Sequence, residues 1–420
     1  MEYEDLLGVL YSHHFHGLKP GLERTEFLLG ELGNPHLDYD CVHITGTNGK
    51  GSTSHYCAEI LKREGKRTGL YTSPHLSDFR ERICVNGGVA EKERIASILE
   101  ELLKMSKDRY CSFFEITTAL AFEYFKEAGV DVAVLEVGIG GRWDSTNVVD
   151  SKRSVITNVS LEHTAFLGST MEAIAAEKAG IIKQDAEVVT CASGKALEVI
   201  GRKAHDMKAK LRVMGDDFGY DLEECSIDGS KFVYESDEKL IGLTNQLPGR
   251  VQVENSCAAV SVLEDLVSEN SLTEGIRRAW LPGRFEVLET DGKRVILDGA
   301  HNPGAAESLA SNLSEFGIGP VLILGVLSDK NCKEMCKALC PLSRIVVVTE
   351  PKAERRLNRE ELAEAAGEDS NVLIAEDLEG AMRLAYGFGD EVCIAGSFYL
   401  IGEARELLGL SRGDHFGGDF

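Results

Sequence analysis

The chain has 420 residues, 43% of them hydrophobic, and carries 45 basic against 69 acidic side chains for a formal net charge of −24. That length suits two or three domains with full-sized cores. The acidity excludes a nucleic acid or an anionic membrane as the main partner, because both require a basic footprint, although a small site can still be locally positive.

The opening Met1-Glu2-Tyr3-Glu4-Asp5 lacks the basic and apolar regions of a signal peptide, and no apolar run approaches the roughly 20 residues of a membrane span. Eleven cysteines without a CxxC pair read as reduced thiols, so the expected compartment is cytoplasmic. Residues 42–45 form a short apolar strand that runs into a glycine-rich loop, followed by a helix to about 64. The alternation continues with a strand at 68–71, helices at 91–107 and 115–128, buried strands at 131–137 and 154–158, and a helix at 170–182. Ser169-Thr170-Met171-Glu172 offers a capping box for that last helix. Residues 211–243 are rich in Asp, Gly and Ser and read as hairpins or a loop-rich insertion, with helical character returning at 254–266. The pattern breaks at Trp280-Leu281-Pro282-Gly283, which places a domain boundary there, dividing the chain into 1–281 and 282–420. Beyond it, strands at 294–297, 321–324, 344–348, 372–374 and 392–394 alternate with helical segments. Cys332, Cys336 and Cys340 share one helix spacing and read as a buried stripe in preference to a metal site. The fold class is therefore α/β: an N-terminal P-loop ATPase-type domain with a parallel sheet, then a smaller doubly wound, Rossmann-like domain.

Gly46-Thr47-Asn48-Gly49-Lys50-Gly51-Ser52 is the most informative segment. Glycines let main-chain N–H groups approach phosphate oxygens, the following helix N-terminus favours an anion, and Lys50 supplies a mobile positive charge. The loop departs from GxxxxGK[ST], since Ile44 replaces the first glycine and Gly51 separates Lys50 from Ser52. Ser52 or Thr53 is expected to cap the helix or to face a metal. Glu136 closes a buried strand, where ligands bind in parallel sheets, and its oxygens suit Mg²⁺. His163 is read equally well as a metal-site or a structural residue. Lys178 lies among small residues; an ammonium cannot ligate a metal, although a lysine carbamate can, and the plainer reading is a solvated or paired lysine. In the second domain Asp298, His301 and Asn302 follow a strand, and Arg284 offers a fixed charge for phosphate or carboxylate. Two polar sets on two domains point to catalysis in an interdomain cleft.

Together these segments identify a family. Tyr71-Thr72-Ser73-Pro74-His75-Leu76, Phe79-Arg80-Glu81-Arg82-Ile83, Glu177-Lys178-Ala179-Gly180-Ile181, Pro282-Gly283-Arg284-Phe285, Asp329-Lys330 and Gly396-Ser397-Phe398-Tyr399-Leu400 join the phosphate loop in a fixed order. The chain resembles folylpolyglutamate synthase and dihydrofolate synthase, members of the Mur ligase superfamily. The resemblance implies that ATP binds at Gly46, Thr47, Asn48, Gly49, Lys50, Gly51 and Ser52, with Asn255, Arg284 and Asp298 also contacting nucleotide. It implies two Mg²⁺ sites near Ser73, Glu136, His163 and Lys178, the last matching a lysine that can be carbamylated. Lys50, Lys178, Asp298 and His301 carry the implied catalytic roles, and Thr72, Ser73, Pro74, His75, Arg82 and Ser397 the substrate-binding ones. Where the family commonly has Gly-Leu-Asp-His, this chain has Ser160-Leu161-Glu162-His163, and a common His-Gln before Asn255 is replaced at Val251-Gln252.

The implied reaction is an ATP-dependent amide synthesis on a monomeric enzyme. A carboxylate resists an amine because oxide is a poor leaving group, and phosphorylation by ATP removes that obstacle. L-glutamate would then attack the acyl phosphate of dihydropteroate or of a folate polyglutamate. Alternatives at this stage are a Mur-type ligase acting on another pterin or peptide-like carboxylate, a P-loop kinase, and a nucleotide-binding regulator without turnover.

Overall fold

The structure, a computed structural model, describes residues 2–13, 20–107, 109–237, 239–290, 292–367 and 371–410. Residues 1, 14–19, 108, 238, 291, 368–370 and 411–420, which fall within the expected divisions 1–281 and 282–420, lie outside the described residues.

An eight-stranded sheet organises the first part of the chain. Six strands run parallel, in the spatial order Thr68–Tyr71, Val132–Glu136, Asp40–Thr45, Arg153–Ile156, Glu187–Thr190 and Lys210–Val213. The short strands Ile83–Val85 and Gly88–Val89 add an antiparallel hairpin at one edge. Val-Ala-Val-Leu at 132–135 is apolar on consecutive positions because helices cover both faces of the sheet. One face packs on Lys92–Ser106 and Phe113–Glu127 through Leu99, Leu120 and Phe122. The other packs on Lys50–Arg63 and Arg250–Leu263 through Tyr56, Ile60 and Val260. At Gly275 the helix Glu269–Arg278 crosses Lys50–Arg63 so closely that a Cβ would lie 2.6 Å from the Ile60 Cα.

The expected hairpin region divides differently. Lys210–Val213 is the parallel edge strand just described, while Phe218–Ser226, Gly229–Ser236 and Leu240–Asn245 form a separate three-stranded antiparallel sheet. Its inward residues Phe232, Tyr234, Ile241 and Leu243 join the core around Tyr56. Helix ends also shift. The Phe113–Glu127 helix starts before Glu115 because Ser112 and Glu115 form a reciprocal capping box. Thr170 alone caps Met171–Lys178, and a 3₁₀ turn at Ala179–Ile181 replaces its expected last turn. Arg250–Leu263 begins directly after Gly249, ahead of the expected start at 254.

The second sheet has six strands, in the order Glu286–Thr290, Lys293–Asp298, Glu391–Ala395, Val321–Leu324, Ile345–Val348 and Val372–Ile374. The first pair is antiparallel and the remaining neighbours are parallel. Alternate residues feed opposite cores, with Ile296 and Leu322 on one face and Val295, Leu297 and Ile323 on the other. That is the expected doubly wound layering. Cys336 and Cys340 are buried in the first of these cores, and Cys332 packs against it. Among the described residues, no helix is long and apolar enough to cross a membrane.

Candidate active site between the two domains

The phosphate loop leaves the C-terminal end of Asp40–Thr45, between Val132–Glu136 and Arg153–Ile156. Past Ile156 the chain leaves the ladder to hold this loop. Asn158 accepts from the Thr47 N–H through its carbonyl (2.9 Å) and from the Asn48 N–H through Oδ1 (2.9 Å). Thr157 Oγ1 donates to the Asn48 carbonyl at 2.6 Å. Two glycines are sterically required. A Cβ on Gly46 (φ +155°) would lie 1.8 Å from Thr157 Oγ1, and one on Gly49 (φ +86°) 2.2 Å from Asn255 Oδ1. Gly49 is also the N-cap of Lys50–Arg63, so neither Ser52 nor Thr53 caps that helix. Asn255 thus packs on the loop from Arg250–Leu263, where it is buried.

Two lysines meet at the Gly46 carbonyl. Lys178 Nζ donates to it at 2.6 Å, and Lys50 Nζ donates to it at 3.1 Å and to the Thr47 carbonyl at 3.0 Å. Burial, reinforced by Lys50, pushes the Lys178 amine down to about 7, with Glu162 opposing. Lys178 is therefore not the solvated surface lysine of the plainer reading. Glu136 is buried at its strand end, and its Oε2 accepts from the Ser73 N–H at 3.0 Å. Burial raises its carboxyl, against Lys50, the Ser73 N–H and Arg284. Among the described residues this buried carboxylate takes its one hydrogen bond from the main chain, and such a group fits a hard divalent cation. Among the described residues no three His, Cys, Asp or Glu side chains converge into a metal cage. His163 takes a left-handed backbone (φ +50°) at the start of the short helix Thr164–Leu167, and burial lowers its imidazole.

Across the cleft, Asp298 organises the wall. Its Oδ2 accepts from the Phe285 N–H (2.8 Å) and its Oδ1 from the Ala300 N–H (2.8 Å). Phe285 is buried at φ +47°, a conformation that costs a bulky residue on the order of 1–3 kcal/mol. The Asp298 bond and the packing of Phe285 on Phe316 maintain it. This turn sets the Arg284 guanidinium 4.3 Å over the Phe398 ring. A Cβ on Gly299 would lie 2.2 Å from that ring and 2.8 Å from Arg284 Nη1. His301 Nδ1 pairs with the Gly299 carbonyl at 2.9 Å, which makes Nδ1 the protonated nitrogen and leaves Nε2 open. Burial, then Lys330, pushes this imidazole down to about 4, so it is neutral at ordinary pH. Ser397 is buried and caps Phe398–Leu407 by accepting from the Leu400 N–H at 3.2 Å.

The walls touch through the loop residue Asn48 and through Asn302, Glu162 and Lys330, which sequence reasoning left without a role. Asn48 and Asn302 exchange side-chain hydrogen bonds of 3.3 and 2.9 Å. Glu162 Oε1 accepts from Asn302 Nδ2 at 3.1 Å and lies 3.7 Å from both His301 Nε2 and Lys330 Nζ. The helix-capping pattern Asn302-Pro303 was the available signal for Asn302. To one side, the buried Arg82 donates from Nε to His75 Nδ1 at 2.8 Å, and its guanidinium lies 5.2 Å from the Phe113 ring centre. Thr72 and the cis-linked Ser73 and Pro74 connect this apolar, cationic corner to Glu136. The structure therefore brings the phosphate loop, Glu136, His163, Lys178, Arg284 and His301 to one cleft.

Comparison with known proteins agrees with this architecture. The Mur ligase middle domain model matches residues 44–263, and the Mur ligase glutamate ligase domain model matches 283–398. The chain is 37% identical, over 96% of its length, to a probable bifunctional folylpolyglutamate synthase/dihydropteroate synthase of Haloferax volcanii, and it spans about half (50%) of that relative. It is 33% identical to the dihydrofolate synthase/folylpolyglutamate synthase of Bacillus subtilis, covering 97% of this chain and 99% of the relative. The folylpolyglutamate synthase of Mycobacterium tuberculosis, solved with ADP and AMPPCP, superposes with a TM-score of 0.87 at 32% identity, over 95% of this chain and 96% of that one. By its two matched domains and these relatives, the chain belongs to the folylpolyglutamate synthase/dihydrofolate synthase family of the Mur ligases.

Proposed function

We propose that the protein is an ATP-dependent amide ligase that adds L-glutamate to dihydropteroate, to tetrahydrofolate polyglutamates, or to both, through an acyl phosphate, releasing ADP and phosphate. The observation that carries this reading is the direct contact of the first domain with the second-domain wall beside the phosphate loop, Asn48 to Asn302 and Glu162 to Asn302. A kinase has no need of a second wall holding a neutral imidazole and an arginine against its phosphate loop.

In this reading residues 1–281 bind nucleotide and the acceptor, and 282–420 bring the amino acid; one chain is the working unit, since the cleft forms within it. Lys50 moves from its loop carbonyls to the β- and γ-phosphates and neutralises charge there. Asn255 and Arg284 hold nucleotide, and Asp298 keeps Arg284 in place. His301 Nε2, the acceptor nitrogen of its ring, is placed to accept a hydrogen bond from the amino group of glutamate and orient it, and that group attacks as the free amine once its extra proton has gone to solvent. Arg82, His75 and Thr72 to Pro74 border the acceptor, with Ser397 near the amino acid. Bound Mg²⁺ would be held by Glu136 with Ser73, His163 and Lys178 around two sites, and it would supply charge neutralisation at the transferred phosphoryl group. An amine near pH 7 such as that of Lys178 can react with CO₂, and a carbamate there would present oxygens to the second site.

The test is phosphate release from ATP with Mg²⁺ and glutamate, with dihydropteroate in one reaction and tetrahydrofolate in another. Release that requires dihydropteroate marks a dihydrofolate synthase, release that requires tetrahydrofolate marks a polyglutamate synthase, and both together mark a bifunctional enzyme. If neither supports release while ATP still binds, the folate reading falls and a ligase for another carboxylate takes its place.

A further inference from the structure

Glu162 stands on the first domain, yet most of its partners belong to the second. Its Oε1 lies 3.1 Å from Asn302 Nδ2, 3.7 Å from His301 Nε2, 3.7 Å from Lys330 Nζ and 3.8 Å from His163 Nε2. The Glu162 side chain is 12% exposed and that of Lys330 13%, so this is not a solvated surface contact. Asn302 is used to its full capacity. Its Oδ1 accepts from Asn48 Nδ2 (3.3 Å) and the Ala305 N–H (2.9 Å), and its Nδ2 donates to Asn48 Oδ1 (2.9 Å) and Glu162 (3.1 Å). Removing one partner from so enclosed a set leaves the others unpaired, which costs more than losing an exposed ion pair.

We propose that Glu162 is a positioning residue that clamps the second domain onto the phosphate loop through Asn302 and Lys330, and so keeps water from the acyl phosphate until the amine arrives. The proposal rests on the ligase reading above. Without the clamp, water adds to the acyl phosphate. The bond between acyl group and phosphate then breaks, carboxylate and inorganic phosphate are released, the protons go to solvent, and no amide forms.

The variants Glu162→Gln and Lys330→Gln test this in the full chain. The readouts are phosphate released per amide formed, KM for glutamate, ADP affinity by titration, and the radius of gyration in solution with ADP. Each variant is expected to raise phosphate per amide at least about twofold above the wild-type value and KM for glutamate about tenfold. ADP affinity should stay within about threefold, because the phosphate loop keeps its own main-chain bonds. Both variants should scatter as more open particles, and Glu162→Gln with Lys330→Gln together should add little to either alone. Glu162→Asp, with one methylene less reach, should fall between wild type and Glu162→Gln. Wild-type ratios and an unchanged radius in both variants would overturn the clamp. If wild-type protein makes no amide with either pteroyl acceptor, the ligase reading fails, and the scattering comparison still decides whether Glu162 closes the cleft.

Discussion

The phosphate loop is held at several of its peptide groups by several neighbours, whereas the turn in the wall facing it leans on one carboxylate. Gly46 and Gly49 adopt backbones that other residues avoid, and Thr157 and Asn158 fix the loop mostly through its peptide groups. Opposite, the bulky Phe285 takes a positive φ, and a single carboxylate, Asp298, braces the turn that presents Arg284. The first arrangement makes a preformed cradle for an anion of fixed shape. The second makes an adjustable set of charges and leans on few atoms. Substitutions should therefore act differently on the two sides.

The largest effect is expected at Lys50, the loop residue that supplies charge to the phosphates. Lys50→Ala should cut turnover by roughly 10²–10³ with the unfolding midpoint unchanged, as steady-state rates and thermal melts would read. Near-normal turnover would remove the loop from the chemistry. Gly46→Ala should break the cradle itself, destabilising the protein by about 2–3 kcal/mol and abolishing ATP binding, because its Cβ meets Thr157 Oγ1 at 1.8 Å. Gly51→Ala is the internal control, since its Cβ would meet nothing closer than 3.7 Å; its midpoint should match or slightly exceed wild type. If denaturant titration finds the two alanines equally harmful, the comparison fails. On the other wall, Asp298→Ala should cost about 2 kcal/mol by stranding the Phe285 and Ala300 N–H groups. It should weaken nucleotide binding through Arg284 while melting curves stay cooperative.

The effect that is smallest at neutral pH, and grows only in acid, tests the strand beneath the loop. Burial pushes the His43 imidazole from 6.5 down to about 3, while its Nε2 pairs with Thr146 Oγ1 at 2.8 Å. Between those values the unfolded chain takes up a proton that the folded chain refuses, so stability falls as pH drops from about 6.5 toward 3. His43→Gln should flatten that part of the midpoint-against-pH curve relative to wild type; parallel curves would show that His43 does not carry it.

Strand–helix alternation and the phosphate loop were readable because each rests on local pattern: apolar runs of strand length, then glycines and a lysine. The doubly wound second sheet was readable for the same reason. Other features depend on contacts far apart in the chain. The sequence of 210–213 resembles its hairpin neighbours, and only pairing with Glu187–Thr190 makes it part of the parallel sheet. Strand character at 157–158 is lost to hydrogen bonds with the loop across more than a hundred residues. Glu162 was visible as an oddity and Asn302 as a polar residue after a strand, but their meeting depends on how two domains dock, which no local window encodes. Lys178 is the clearest case: its surroundings in sequence are small and unremarkable, and its depressed amine comes from burial beside Lys50.

The antiparallel sheet has one further consequence. The turn between Phe218–Ser226 and Gly229–Ser236 sends Ile227 against the core of the second domain. Among the described residues the polypeptide crosses from the first group of strands to the second once, between Arg278 and Glu286. Ile227 therefore gives the domains a non-covalent seat besides the covalent crossing, and Leu76, which packs on the opposite core of the second domain, gives another. The joint is packed as well as tethered, so the register in which Asn48 meets Asn302 is carried in part by apolar contacts outside the site.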